Sequence, residues 1–416
     1  MKEDRKSPAL IREQVMKFST KIATGLSKPL QKFVAQMVFG ILAASDIKFS
    51  NIACSLQEEI RLIKTETRLS RNAKAKGVAK NVTEALIQEG AVWIKNDTVL
   101  AIDISDIAKE YAEKMEYLAT VRDGSKGELT KGYWLIGVVG ADVNGERLTP
   151  LRMELYSQEA DDFDSENTQI LNAIDQVRSA LGTRGIWAID RGGDRGTLLD
   201  GLLSRKARFV IRLIGQRNLR DERGRIRNSL TLACGMRCRE TLEFVTDEQG
   251  VNRRRTVRVG YRTVRLPKRE EQLTLVVIKG FGEKPMLLLT SANDQPARGI
   301  LEIYLTRWKI EESFRVLKSG YHVEDIRARS YARLRNVVVL LMAAFYFLAA
   351  VLGERFELRI LLQKILKKAR RFFETPAFKF YALADGLFQM LFRIGFQQLK
   401  KPRFVRPNQL TLSFFS

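Results

Sequence analysis

Histidine is almost missing from this sequence: His322 is the one histidine in 416 residues. That argues against hydrolase chemistry built on a Ser–His or Cys–His pair. Cysteine is scarce too. Cys54, Cys234 and Cys238 cannot form a disulfide framework, and the C-x3-C pair lacks the further ligands that a Cys/His zinc site needs. So few thiols suit a reducing compartment, and a cytoplasmic protein is expected. The first residues, "MKEDRKSPALIREQ", contain no apolar segment of the secretory kind. Long apolar runs are lacking as well. Val337 to Leu352 spans 16 residues, short of the about 20 that a spanning helix needs. It reads as a buried core helix, and no membrane partner is expected.

Acidic residues are outnumbered: 71 Lys and Arg stand against 48 Asp and Glu, a formal charge of +23 and a pI near 10. Such an excess favours a polyanionic partner. The excess is uneven. Residues 90–207 carry a net −6, whereas residues 1–89 carry +7, 208–296 carry +9 and 331–416 carry +11. A protein that grips a polyanion with its periphery and reserves carboxylates for another purpose would look like this.

Five stretches follow from periodicity and punctuation. Residues 1–89 read as helical, with "KPLQKFVAQMVFGILAA" followed by "SNIACSLQEEIRLIKTETRLSRN" after a possible cap at Ser50, and suit a small DNA-binding bundle or a helical cap. Residues 90–213 begin with strands ("TVLAIDIS", "YWLIGVVGADV", "RLTPLRMELYS") and then alternate helix and strand through "NTQILNAIDQVRSAL", "GIWAIDR", a short helix capped by Asp194, and "RFVIRLIG". That order predicts a mixed sheet with helices on its faces. Residues 214–296 read as β-hairpins, a β-rich insertion. Residues 297–330 hold a helix, and 331–416 are mostly helical with basic clusters such as Lys367–Arg371.

Two buried strands each end in an aspartate, Asp103 in "LAID" and Asp190 in "WAID". A carboxylate there is costly unless it is paired or used, and strand ends form the functional crevice of open α/β sheets. Asp106 and Asp123 are rivals to Asp103, and Asp194 is the rival to Asp190. A third carboxylate lies in "YLTRWKIEESFRVLK", Tyr304 to Lys318. On a uniform helix Arg307, Glu311 and Lys318 fall within about 60° of Tyr304. Glu312, at about +80°, falls off that strip. Ile303, Ile310, Phe314 and Leu317 make an adjoining core stripe. Asp103, Asp190 and Glu311 would form an all-oxygen site of the type Mg²⁺ and Mn²⁺ favour. Two such ions support phosphoryl transfer.

The spacing Y-(2)-R-(3)-E-(6)-K at Tyr304, Arg307, Glu311 and Lys318 resembles the signature of the insertion-sequence-four family of bacterial DDE transposases. "AIDISDIAK", "WAIDRGGD", "FVIRL" and "RWKIEESF" resemble that family too. The resemblance is good over residues 95–330. It implies a ribonuclease H-like α/β core interrupted by the β insertion and flanked by helical N- and C-terminal regions. It further implies catalysis and metal binding by Asp103, Asp190 and Glu311 with two Mg²⁺ or Mn²⁺ ions. Tyr304, Arg307 and Lys318 would contact DNA phosphates near the cleaved end. The activity implied is cut-and-paste transposition through nicking, a hairpin and strand transfer. DNA partners would be terminal inverted repeats and target DNA, bound by a homodimer. Some relatives place a Trp where this chain has Met286 in "KPMLLLTS", so the hairpin step has a weaker stacking group here. The competing reading is a catalytically silent, transposase-derived DNA-binding protein.

Overall fold

A computed structural model describes residues 2–124, 126–143, 145–248, 251–352, 362–369, 378–392 and 394–396. Arg370 and Arg371 of the basic cluster, and residues 397–416, lie outside them. Five helices come first: α1 (Lys2–Ile22), α2 (Lys28–Ala44), α3 (Phe49–Leu56), α4 (Leu62–Asn72) and α5 (Val78–Ala91). The run expected to be one helix from Ser50 onward is two. Gln57 adopts a left-handed conformation (φ 49°), and the helix starts at Phe49 with Lys48 as its N-cap. Glu58 then takes Thr65, Arg68 and Gln36 as partners, which fixes the turn between α3 and α4.

Next come β1 (Val99–Ala108), β2 (Ala119–Arg122), β3 (Leu129–Ala141), β4 (Leu148–Tyr156), α6 (Glu166–Leu181), β5 (Ile186–Ile189), α7 (Gly196–Ser204) and β6 (Phe209–Arg212). After β7 (Asn218–Arg220), β8 (Ile226–Asn228) and α8 (Ser229–Cys234) come β9 (Glu240–Glu248), β10 (Val251–Val264), β11 (Leu273–Lys279) and β12 (Met286–Thr290). The main sheet has ten strands in the order β2-β3-β1-β5-β6-β12-β11-β10-β9, with β4 also paired to β3. β1, β5 and β6 are parallel and the other pairings antiparallel. The mixed sheet expected from the alternation is therefore present. Strands of the 214–296 stretch continue that sheet, because β12 pairs with β6.

Helices cover both faces. Alternation along β1 sends Leu100 and Ile102 to a core shared with α6 and α7. Val99 joins Ile186, Ala188 and the helix α9 (Ala297–Thr306) on the opposite face. There α10 (Trp308–Arg315) and α11 (Tyr331–Tyr346) join the N-terminal helices in one continuous core. Tyr331–Val351 is long and apolar enough by length and composition to cross a membrane, yet it is mostly buried against protein. Within it, buried Asn336 accepts from the Ala79 amide at 3.0 Å and donates to the carbonyls of Ala73 and Ala75. This ties the 331–346 helix to the N-terminal bundle.

Candidate active site

β1 and β5 run side by side with Val99 opposite Ile186 and Ala101 opposite Ala188. Two residues beyond the last of those pairs stand Asp103, in the middle of β1, and Asp190, just past the end of β5. Asp190 is close enough to Asp103 for the two carboxylates to repel each other, which raises the Asp103 carboxyl. Both fall on the face that α9 and α10 cover. Asp190 caps a short 3₁₀ turn, accepting from the Gly192 amide at 2.8 Å. Its rival Asp194 is buried in a different task. It does not cap α7, whose N-cap is Arg195. Instead it pairs with Arg217 at 2.7 Å and accepts from the Ile214 amide.

α10 reaches this point because β3 carries Gly137 opposite Asp103. A Cβ on Gly137 would stand 2.8 Å from the Phe314 ring and 3.4 Å from Ile310. The glycine thus lets the helix settle on the sheet. Lys309 fastens it by donating to the carbonyls of Asp142 (2.9 Å) and Gly145 (2.8 Å). Gly137→Val should push α10 outward and cost about 1–3 kcal/mol of stability, the usual price of overpacking. Chemical denaturation checks it, and an unchanged midpoint would refute the close approach.

Glu311 therefore faces the aspartates, bridged by an arginine. Arg307 Nη1 donates to Asp103 Oδ2 at 3.0 Å, and Arg307 Nη2 donates to Glu311 Oε1. Asp103 also accepts from the Ile104 amide at 2.8 Å. Burial pushes the Asp103 carboxyl up to about 7; Arg307 pulls it down, and Asp190 and Glu311 push it further up. Burial draws Arg307 down, but Asp103 and Glu311 outweigh that and hold it above its ordinary value. Three carboxylates on one face with a single arginine among them make a cluster in want of positive charge. Among the described residues no three His, Cys, Asp or Glu side chains are grouped to hold a metal ion as they stand. The guanidinium of Arg307 stands between two of the carboxylates. Their oxygen donors and mutual repulsion fit a hard divalent cation, provided Arg307 lets go.

The strip expected along one uniform helix is broken. α9 ends at Thr306, α10 starts at Trp308, and Val316–Gly320 forms a π-helical turn. Lys318 lies inside that turn and pairs elsewhere than with Glu311. Lys318 Nζ sits 3.0 Å from Asp106 Oδ2 and 3.3 Å from Glu324 Oε1. Asp106, a rival to Asp103, is thus the partner of Lys318. Asp123, the other rival, accepts from the Lys126 amide in a turn. Tyr304, expected among the DNA contacts, is only 6% exposed. Its ring lies under Arg307, 5.7 Å from guanidinium carbon to ring centroid. Glu312 points elsewhere, to Arg315 and the Tyr381 hydroxyl. Met286 is half-buried at the start of β12.

Sequence reasoning missed Lys109. This buried lysine donates to the carbonyls of Val323, Glu324 and Ile326 and so clamps the segment after α10 onto the end of β1. Burial lowers its ammonium to about 8, opposed by Glu324 and Asp325. No side-chain pattern around "AIDISDIAK" announces that role.

Residues 98–347 match the transposase DDE domain. The chain belongs to that family. DDE transposases depend on divalent metal ions. The fold is similar to that in a cryo-EM structure of the piggyBac transposase synaptic complex with hairpin DNA. The two share 12% identity at a TM-score of 0.45, over 95% of this chain and 83% of the other. No curated protein matches the sequence.

Proposed function

We propose that this DDE transposase carries out metal-dependent cut-and-paste transposition of an insertion sequence of the insertion-sequence-four type, with Asp103, Asp190 and Glu311 as the metal-holding catalytic residues. The observation that carries the reading is the Arg307 bridge from Asp103 on β1 to Glu311 on α10, with Asp190 close to Asp103 just past the parallel strand β5. The order β4-β3-β1-β5-β6 agrees with the ribonuclease H-like core that the sequence resemblance implies. When bound, two Mg²⁺ or Mn²⁺ ions supply activation of a water or 3′-hydroxyl and stabilisation of the leaving oxygen. Arg307 and Lys318 hold phosphates of the cleaved strand, and Tyr304 supports Arg307 from beneath. The basic N- and C-terminal regions bind the terminal inverted repeats and target DNA, and two copies synapse the ends. A hairpin intermediate is part of this reading, with Met286 as the wedge. The protein acts in the bacterial cytoplasm at the nucleoid.

The test is a time course of nicked, hairpin and double-strand-break products on an end-containing duplex with Mg²⁺. Asp103→Ala, Asp190→Ala and Glu311→Ala should each abolish cleavage while end binding stays near normal, since losing a negative charge does not weaken attraction to DNA. Near-normal nicking by Glu311→Ala would refute the assignment. Absence of any Mg²⁺-dependent cleavage by the unaltered protein would favour the silent DNA-binding reading.

A further inference from the structure

We infer that Arg307 is an exchangeable counter-ion: it neutralises Asp103 and Glu311 while the site lacks metal, and passes to a DNA phosphate when a divalent cation takes the carboxylates. The inference rests on the metal-site reading above and adds that metal loading and DNA capture are one coupled event.

Four observations carry it. The guanidinium bridges carboxylates from two elements, β1 and α10, so it occupies the space between two of the three proposed ligands. Its Nε is buried and has no hydrogen-bond partner, so one of its donors stays unused in this arrangement. An arginine selected only to tie β1 to α10 would be expected to spend that donor. The Tyr304 ring beneath it holds a cation by its face, which imposes no single acceptor direction and tolerates a shift of the guanidinium. The Arg307 side chain is 13% exposed but its partner Glu311 is 51% exposed, so the bridge opens to solvent on the Glu311 side. A planar fork suits a carboxylate and a phosphate equally well.

Lys318 behaves differently. It is held by Asp106 and Glu324, and neither is a proposed metal ligand. A cation entering the Asp103 cluster competes with Arg307 and leaves the Lys318 pairing alone. Linkage then fixes the thermodynamics: if DNA relieves the carboxylates of Arg307, DNA tightens metal binding by the same factor that metal tightens DNA.

The experiment measures Mn²⁺ binding to the full chain by calorimetry or electron paramagnetic resonance, with and without an uncleavable end duplex. Arg307→Gln should bind Mn²⁺ at least about fivefold tighter than the unaltered protein in the absence of DNA, the low end of ordinary coupling between sites. In that variant the effect of DNA on Mn²⁺ affinity should fall towards none. Arg307→Lys, which keeps the charge but cannot bridge two carboxylates, should show a smaller gain in Mn²⁺ affinity and serves if the Gln variant melts early. Unchanged or weaker Mn²⁺ binding by both variants would overturn the exchange, and so would Mn²⁺ and DNA binding that are independent in the unaltered protein. The metal-site reading has its own control. If Asp103→Asn binds Mn²⁺ as well as the unaltered protein, that reading fails and takes the exchange with it. If Asp103→Asn loses Mn²⁺ while Arg307→Gln gains nothing, the exchange alone fails.

Discussion

Asp103→Asn should melt higher than the unaltered protein in metal-free buffer at pH 8, and it should not cleave DNA. The carboxyl of Asp103 titrates at about 7 in the folded chain against an ordinary 3.8. Its folded value is raised, so the protonated form is the one the fold prefers. Stability from this group is complete below about 3.8, declines as pH rises, and is lost above about 7. The span corresponds to about 4 kcal/mol as an upper bound. Asparagine still offers Arg307 an oxygen but gives up the ionic attraction, so a net gain of about 1–3 kcal/mol is expected. The difference between the two proteins should shrink as pH falls towards 4. Mn²⁺ should then raise the melting temperature of the unaltered protein and leave the variant nearly unmoved, since only a state that binds ligand is stabilised by it. A variant that melts no higher at pH 8 would show that Arg307 fully compensates the buried charge. The site would then be a structural ion pair rather than a strained one.

Lys318→Ala is expected to cost about 2–4 kcal/mol of stability, far more than an exposed ion pair is worth. The reason is Asp106, whose side chain is 7% exposed. Its Oδ1 accepts from the Gly124 amide at 3.2 Å, but its Oδ2 makes no well-directed hydrogen bond and relies on the Lys318 charge. Removing the lysine leaves a buried carboxylate with too little compensation. The double variant Lys318→Ala with Asp106→Asn should recover most of the loss, because it removes both charges. Stability by denaturant titration and cleavage products by time course should be read together. Recovery of stability without recovery of cleavage would place Lys318 on the DNA. Recovery of both would make Lys318 a support for the end of β1 and nothing more.

The local setting of each carboxylate was legible, though the strand expected to end at Asp103 runs on to Ala108. Asp190 follows the apolar run of β5, and Glu311 stands at helical spacing beside Ile310 and Phe314. What joins them was not legible. Arg307 lies four residues from Glu311, which predicts that ion pair, but nothing near it in sequence announces Asp103, 204 residues away. The uniform strip failed for a related reason. Lys318 lies in the π-helical turn at Val316–Gly320 and takes partners from β1 and the segment after that turn, which no local period announces. Lys109 escaped because its acceptors are backbone carbonyls, which every residue carries and no side-chain pattern reveals.

By itself the sequence determined the mixed α/β alternation, the charge suited to DNA and the spacing that resembles a transposase signature. These depend on period, burial preference and residue chemistry within short windows. Only the tertiary structure decided that β9 to β12 extend the core sheet, that Asp190 comes close to Asp103, that Asp194 serves Arg217 and Asp106 serves Lys318, and that Arg307 stands between Asp103 and Glu311. Those outcomes depend on which distant surfaces meet. A buried charge takes the partner that packing brings within reach, not the one its neighbours in sequence suggest.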